Sequence, residues 1–232
     1  MATLRYIIYF VGLASITGIL TQLEAAFPGA LQMQTFAEGA VPRGVMEYSP
    51  LQVIQLGMLL CCLLLLATVA RDCPSQRPIA FLFGGIALAF LIRELKYFLD
   101  SAIGTNFWQV VLAVALALVI VYTYRHQRRF LIAWGRIWPS PGISFLFIGL
   151  LIVVVFARLV GHEPLWQSIL GDAYLRLAKR AVEEFMQFMG YSIWLIGTIE
   201  FTIQAHVIAR REPQPAAAKR RARRRGSTRG RF

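Results

Sequence analysis

The stretch Pro78–Asp100, PIAFLFGGIALAFLIRELKYFLD, begins as an unbroken apolar run and ends with four charged residues on the same predicted helix. About 20 residues of helix cross the ~30 Å hydrocarbon core of a bilayer, and this run has that length. Ionisable residues within membrane spans are costly, and most of them face a protein interior or a wet cavity. The stretch therefore predicts a membrane-spanning helix that places a polar cluster at one membrane face.

The composition of the whole chain fits an integral membrane protein. Of its 232 residues, 57% are hydrophobic and 16% are charged, whereas soluble domains contain about 25% charged residues. The net charge is +12, but ten of the twenty-four Lys and Arg residues lie in the segment Arg210–Phe232. The hydrophobic part is therefore close to neutral. The three cysteines have no CxxC spacing, so neither a disulfide framework nor a metal site is expected.

Apolar runs of bilayer length recur along the chain and predict an all-α fold, a six-helix transmembrane bundle within residues 1–209. The first run is interpreted as an uncleaved helix because it exceeds the apolar core of ~7–15 residues of a signal peptide. Short extramembrane helices are expected near Leu31–Phe36 and near Leu170–Leu177. Residues 210–232 are expected to form a disordered basic tail, because their composition cannot bury apolar surface. The six predicted spans are 4–23, 51–70, 79–99, 107–124, 143–160 and 183–208.

The distribution of Lys and Arg predicts the orientation of these spans. Six spans put both termini on one side, and the segments on that side carry seventeen of the basic residues, against seven on the other. Nine of the twelve carboxylates fall on the second side. Both termini are therefore predicted to be cytoplasmic. Short loops and the use of cysteine favour the inner (plasma) membrane of a bacterium as the location.

With that orientation, the charged end of the third span faces the periplasm. Arg93, Lys96, Tyr97 and Asp100 are spaced i, i+3, i+4, i+7 and would share one face of a continuous helix. Glu94 would point about 100° away and pair with another helix. The third span thus contributes several candidate ligand-binding residues to the outer face.

Two other predicted spans bring charges to the same level. The fifth ends in Arg158 and His162, four residues apart, and the sixth begins with Glu183 and Glu184 and continues to Tyr191. Isolated charges in a low-dielectric region are expensive, so acids from one helix are expected to meet arginines from the others. These residues complete the set of ligand-binding candidates.

Two interpretations of this outer cluster stay open. The charges could form salt bridges that only lock the helices together, with long side chains reaching the headgroups. Alternatively, they line a wet pocket for a small ligand, an ion or a lipid headgroup. In that pocket Arg93 and Arg158 would hold an anionic group, which suits the bidentate guanidinium, while Glu94, Glu183 or Glu184 would relay protons.

Glu200 lies about sixteen residues into the sixth predicted span, in the inner half of the membrane. No cation is expected at that depth on another span. A protonated, neutral carboxyl group is one interpretation, because desolvation disfavours the charged form. A proton or cation pathway from the outer cluster to Glu200 is the other.

The sequence contains no HExxH, P-loop, GxGxxG or GxSxG motif, and its three histidines fall in separate regions. No cofactor is expected, and a catalytic residue cannot be assigned. The favoured hypothesis is a membrane protein that binds a small ligand, an ion or a lipid headgroup, in a transport or accessory role. The sequence favours a protein without enzymatic activity over an enzyme. The alternatives are a lipid-modifying membrane enzyme and a structural or assembly subunit.

The expected partners follow from the bilayer. The tail, Arg210–Phe232, is expected to bind anionic lipids, which attract each Lys or Arg near the surface by ~1 kcal/mol. Nucleic acid is not expected, because no aromatic residues interleave with the arginines of the tail as a platform for stacked bases. A protein partner or a homo-oligomer stays open.

Overall fold

A computed structural model describes residues 2–27, 50–104, 106–138, 140–171 and 176–211 of the chain. This part of the chain is helical throughout, without strands, which confirms the all-α prediction. The expected helix at Leu31–Phe36 and tail residues 212–232 lie outside it. The elements are α1 (Ala2–Ala26), α2 (Pro50–Asp72), α3 (Arg77–Glu94), α4 (Lys96–Ala102), α5 (Phe107–Arg125), α6 (Gln127–Ile137), α7 (Pro141–Leu151), a π-helical turn (Ile152–Phe156), α8 (Ala157–Val160), α9 (Glu163–Leu170) and α10 (Arg176–Arg211).

The bundle is organised around α10, a helix of 36 residues. Its neighbours α2, α3 and α7 cover its central part, which carries the buried side chains Tyr191, Trp194 and Phe201. The ring of Phe83 from α3 lies 5.8 Å from that of Trp194 and 6.2 Å from that of Phe201. Such tilted aromatic pairs add to the stabilisation from area burial alone.

The helix α7 approaches α10 so closely that only glycine fits at the crossing. A Cβ atom built on Gly149 would lie 2.8 Å from the backbone nitrogen of Trp194. A Cβ atom on Gly197 would lie 2.7 Å from the backbone nitrogen of Leu146. Small residues that let two backbones meet are typical of helix contacts in membranes, where van der Waals packing drives association.

The contacts along α10 give the direction of each neighbouring helix. Gln55 and Asp72 of α2 contact Glu184 and His206 respectively, so α2 runs parallel to α10. The crossings of α1, α3 and α7 with α10 run in the opposite order, so these helices are antiparallel to it. Two ends of the bundle follow: the charged end, where α2 and α10 begin and α3 and α8 finish, and the opposite end.

In the described part of the chain, five helices are long and apolar enough to cross a membrane, namely Leu4–Leu23, Pro50–Asp72, Phe107–Arg125, Pro141–Val160 and Ala181–Arg211. The third predicted span is not among them, because α3 has 18 residues and contains Arg77, Arg93 and Glu94. In α1 only Leu20 is buried among the described side chains, and α5 has no buried residue. Large exposed apolar surfaces of this kind indicate contact with a membrane or a partner.

Three local features differ from a set of straight, unbroken helices. The predicted third span, 79–99, is interrupted at Leu95, whose backbone (φ −84°, ψ 6°) separates α3 from α4. The fifth contains the π-helical turn Ile152–Phe156. A short helix occupies Glu163–Leu170, where a proline at the start favours helix initiation. Most of the helix expected near Leu170–Leu177 lies outside the described residues.

Candidate functional site

A cavity of about 390 Å³ lies at the charged end of the bundle. We call it the outer cavity. Described side chains from α2, α3, α4, α5, α8 and α10 reach it. Its lining residues are Gln52, Gln55, Arg93, Glu94, Lys96, Trp108, Arg158, Glu183, Glu184 and Gln187.

One side of the outer cavity is a closed polar network centred on Glu94. Its Oε1 accepts a 2.7 Å hydrogen bond from the hydroxyl of Tyr191 on α10 and lies 3.1 Å from Nη2 of Arg93. The same Nη2 is 3.4 Å from the Tyr191 hydroxyl. The side chain of Glu94 is only 10% exposed. Because a buried charge must be paired and hydrogen-bonded, this network stabilises the ionised carboxylate inside the bundle.

The break at Leu95 decides which charged residues of this stretch reach the outer cavity. Glu94 ends α3, and Lys96 begins α4 beyond the break, and both line the cavity. The prediction of one continuous helix through Arg93, Lys96, Tyr97 and Asp100 is therefore wrong, although Arg93 and Lys96 both line the cavity.

The other candidates of this stretch are placed differently. Asp100 does not line the outer cavity, and its Oδ1 is buried without a hydrogen-bond partner in the described part of the chain. The backbone of Tyr97 lies in α4, and its side chain is outside the description. Arg93 was expected to pair with an acid from another helix. Its carboxylate partner is instead Glu94, the next residue in the chain.

Three glutamines outside the predicted set of binding residues hold parts of the cavity wall in place. Nε2 of Gln55 donates to the backbone oxygen of Glu184 at 3.2 Å, and Nε2 of Gln52 donates to that of Glu94 at 3.2 Å. Nε2 of Gln187 donates to Oε1 of Glu183 at 3.3 Å. The signal that could have found the first two is an i, i+3 pair of amides in the otherwise apolar first turns of a span.

Arg158 and Glu183 line the outer cavity from two helices that contact each other, α8 and α10. Within the described ranges, neither makes an ion pair, with each other or with another residue. The carboxylate of Glu183 lies against Gly161 at the end of α8, where a Cβ atom would be 2.6 Å from its Cδ and Oε2. The acid is thus held in place without a cation.

The remaining outer candidate, His162, is exposed and precedes α9, away from the cavity lining. Its neighbour Glu163 lies 3.7 Å from Nζ of Lys179, which links α9 to the first turn of α10. In the described ranges, no three His, Cys, Asp or Glu side chains are grouped so that they could hold a metal ion.

Glu200 lies in a second polar cluster, nearer the opposite end of the bundle. Its side chain is fully buried, and its Oε1 accepts a 2.8 Å hydrogen bond from the hydroxyl of Tyr9. Nε of Arg5 lies 3.5 Å from the same oxygen. The expectation that no cation reaches this depth is therefore wrong, because the first turns of α1 supply one. The charged form of Glu200 thus has a partner without any bound ion.

The outer cavity combines guanidinium, ammonium, carboxylate and amide groups around an open volume. Among the described residues, its lining contains no serine, cysteine or histidine. Comparison with protein-family models, curated proteins and solved structures finds no match to this chain.

Proposed function

We propose that this chain is a multi-pass membrane protein that binds a small ligand, an ion or a lipid headgroup in the outer cavity, in a transport or accessory role. One observation supports this most strongly. Arg158 and Glu183 line the same cavity and lack counter-ions in the described structure. Glu183 is half-buried, and a carboxylate that is partly removed from water is stabilised by a cationic partner, whereas Arg158 is exposed and accessible to a ligand. A bound ligand would supply that partner.

The contrast with Glu94 favours binding over a purely structural lock. Glu94 has the two partners that a structural carboxylate needs, Arg93 and Tyr191. If all charges at this end served only to lock helices, Arg158 and Glu183 would be expected to have such partners as well. The network at Glu94 is thus the structural part, and the open groups are the binding part.

We further infer six membrane passes, with α3 as the additional one. Its charged residues lie at its two ends, so residues 78–92 form an uncharged segment beside α2 and α5. Six passes with cytoplasmic termini leave the basic tail, Arg210–Phe232, at the anionic inner leaflet. The outer cavity would then open to the periplasmic side of an inner membrane.

A ligand screen on the purified full-length chain tests the binding function. The protein in detergent is heated with sets of small anions, cations, zwitterions and short-chain lipids. A ligand present at a concentration 100 times its Kd adds about 2.7 kcal/mol to the stability of the folded state. The set that contains the ligand therefore raises the Tm of the protein. The rise should be lost or clearly reduced in at least one of Arg158→Gln and Glu183→Gln.

The matched controls are Arg71→Gln and Asp72→Asn, since both residues are exposed at the opposite end of the bundle. They should keep the rise in Tm. A screen without any rise, or a rise that persists in Arg158→Gln and Glu183→Gln, contradicts a binding site in the outer cavity.

A further inference from the structure

Among the described residues, the charges that line the outer cavity balance each other. They are three cations, Arg93, Lys96 and Arg158, and three carboxylates, Glu94, Glu183 and Glu184. A cavity that selects a simple anion or a simple cation would carry an excess of one sign, because complementary charge gives specificity. A neutral balance of separate full charges favours a ligand that carries both signs.

Within this balance, Arg158 and Glu183 are the pair left for a ligand. Arg93 and Glu94 neutralise each other at 3.1 Å. Glu183 contacts Gly161 and Gln187 and makes no ion pair with Arg158 in the described part of the chain, so a positive and a negative group line one cavity without pairing. We infer that the ligand is a zwitterion whose phosphate or carboxylate binds Arg158 and whose ammonium group binds Glu183.

The remaining wall agrees with this assignment. The planar guanidinium of Arg158 can hold two oxygens of a phosphate or carboxylate at once. Trp108 lines the cavity from α5, and tryptophan is the aromatic side chain that attracts ammonium groups most strongly. A ligand with an oxyanion alone would leave Glu183 without a partner, and a ligand with an ammonium alone would leave Arg158 without one.

This inference rests on the proposed binding function and adds the charge of the ligand. The same zwitterionic chemistry occurs in a phospholipid headgroup and in its free soluble form. The test therefore uses four probes on the purified full-length protein, with binding measured by titration calorimetry in detergent. They are dihexanoyl phosphatidylethanolamine, dihexanoyl phosphatidylglycerol, free phosphoethanolamine and ethanolamine.

The zwitterionic lipid is expected to bind with a Kd about tenfold lower than that of phosphatidylglycerol. This difference matches the contribution of one charge-assisted hydrogen bond in a partly buried site. Glu183→Gln should reduce this preference to within about twofold and keep the phosphatidylglycerol affinity. Arg158→Gln should weaken both lipids. Phosphoethanolamine that binds as tightly as the lipid identifies a soluble zwitterion as the ligand, and much weaker binding identifies the lipid.

Equal binding of the two lipids that does not respond to Glu183→Gln would overturn the zwitterion and leave an anion site. Ethanolamine that matches the zwitterions would overturn it in favour of a cation site. In both cases the proposed binding function survives. If no probe binds, while wild type, Arg158→Gln and Glu183→Gln are equally folded by size exclusion and Tm, the zwitterion inference fails. The broader ligand screen then decides on the proposed function.

Discussion

The hydroxyl of Tyr191 donates a 2.7 Å hydrogen bond to Oε1 of Glu94, a residue 97 positions away in the sequence. The bond joins Glu94, the last residue of α3, to the middle of α10. The helix is interrupted at the next residue, Leu95. It therefore fixes the wall of the outer cavity at the point where α3 ends. The position of Lys96, which follows the break, depends on this anchor.

Replacing Tyr191 with phenylalanine should destabilise the bundle. The ring would still pack against Phe90, 5.6 Å away, but Glu94 would lose a hydrogen bond while remaining buried. Such losses amount to about 1–2 kcal/mol in membrane and soluble proteins. Reversible unfolding in mixed micelles measures the change. Tyr122→Phe on α5 is the matched control and should stay within about 0.5 kcal/mol, as surface substitutions do. Equal effects of the two variants would contradict the role of the bond.

Replacing Gly149 with alanine should separate α7 from α10. The added methyl group would lie 2.8 Å from the nitrogen of Trp194, so the helices must move apart, at about 1–3 kcal/mol for an overpacked contact. Gly57→Ala on α2 is the control, because nothing lies within 4 Å of its built Cβ. That variant should be neutral or more stable by up to about 1 kcal/mol. Thermal unfolding of both variants measures the difference, and a stable Gly149→Ala would argue against the close crossing.

Removing the two charges of the second cluster should have unequal effects. Arg5→Gln leaves the fully buried Glu200 without its cation, whereas Glu200→Gln removes the buried charge itself and keeps an acceptor for Tyr9. The arginine variant should therefore be the less stable one, by about 1–3 kcal/mol. Adding Glu200→Gln to Arg5→Gln should restore stability to near that of Glu200→Gln alone. Unfolding of the three variants measures this order, and the reverse order would exclude an ionised Glu200.

Sided labelling should distinguish the two ends of the bundle. In a chain with its cysteines at 61, 62 and 73 replaced by serine, Gly104→Cys should react with an impermeant maleimide added to intact cells. Ser227→Cys in the basic tail should react only after the membrane is opened, as the positive-inside rule requires. Labelling of the tail in intact cells would reverse the proposed orientation.

The all-α architecture and most helix positions could be predicted because the bilayer imposes long apolar runs. The interruption at Leu95 could not, because every residue from Arg93 to Asp100 is compatible with helix and no glycine or proline marks a break. The continuous helix predicted from Arg93 to Asp100 was therefore wrong. Hydrophobic length gives the extent of a helix but does not report a local change of its backbone.

The second cluster was missed for a different reason. Arg5 lies at the beginning of the first predicted span, 4–23. A charged side chain at the end of a span is ordinarily expected to reach the headgroups. Its contact with Glu200 depends on α1 lying antiparallel to α10, a relation between residues 195 positions apart that no local pattern encodes. Likewise, Gln52 and Gln55 are individually unremarkable, and their role depends on where α10 begins.

The π-helical turn Ile152–Phe156 sets the direction in which Arg158 points. Each residue of an α-helix advances by about 100°, so deleting one residue of this turn would rotate the guanidinium by roughly a quarter of a circle. Arg158 would then no longer point into the outer cavity beside Glu183. The extra residue of the π-helical turn thus sets the rotation of the residues that follow it, including Arg158. Insertions or deletions in this turn should therefore be far less tolerated than substitutions among valine, isoleucine and leucine.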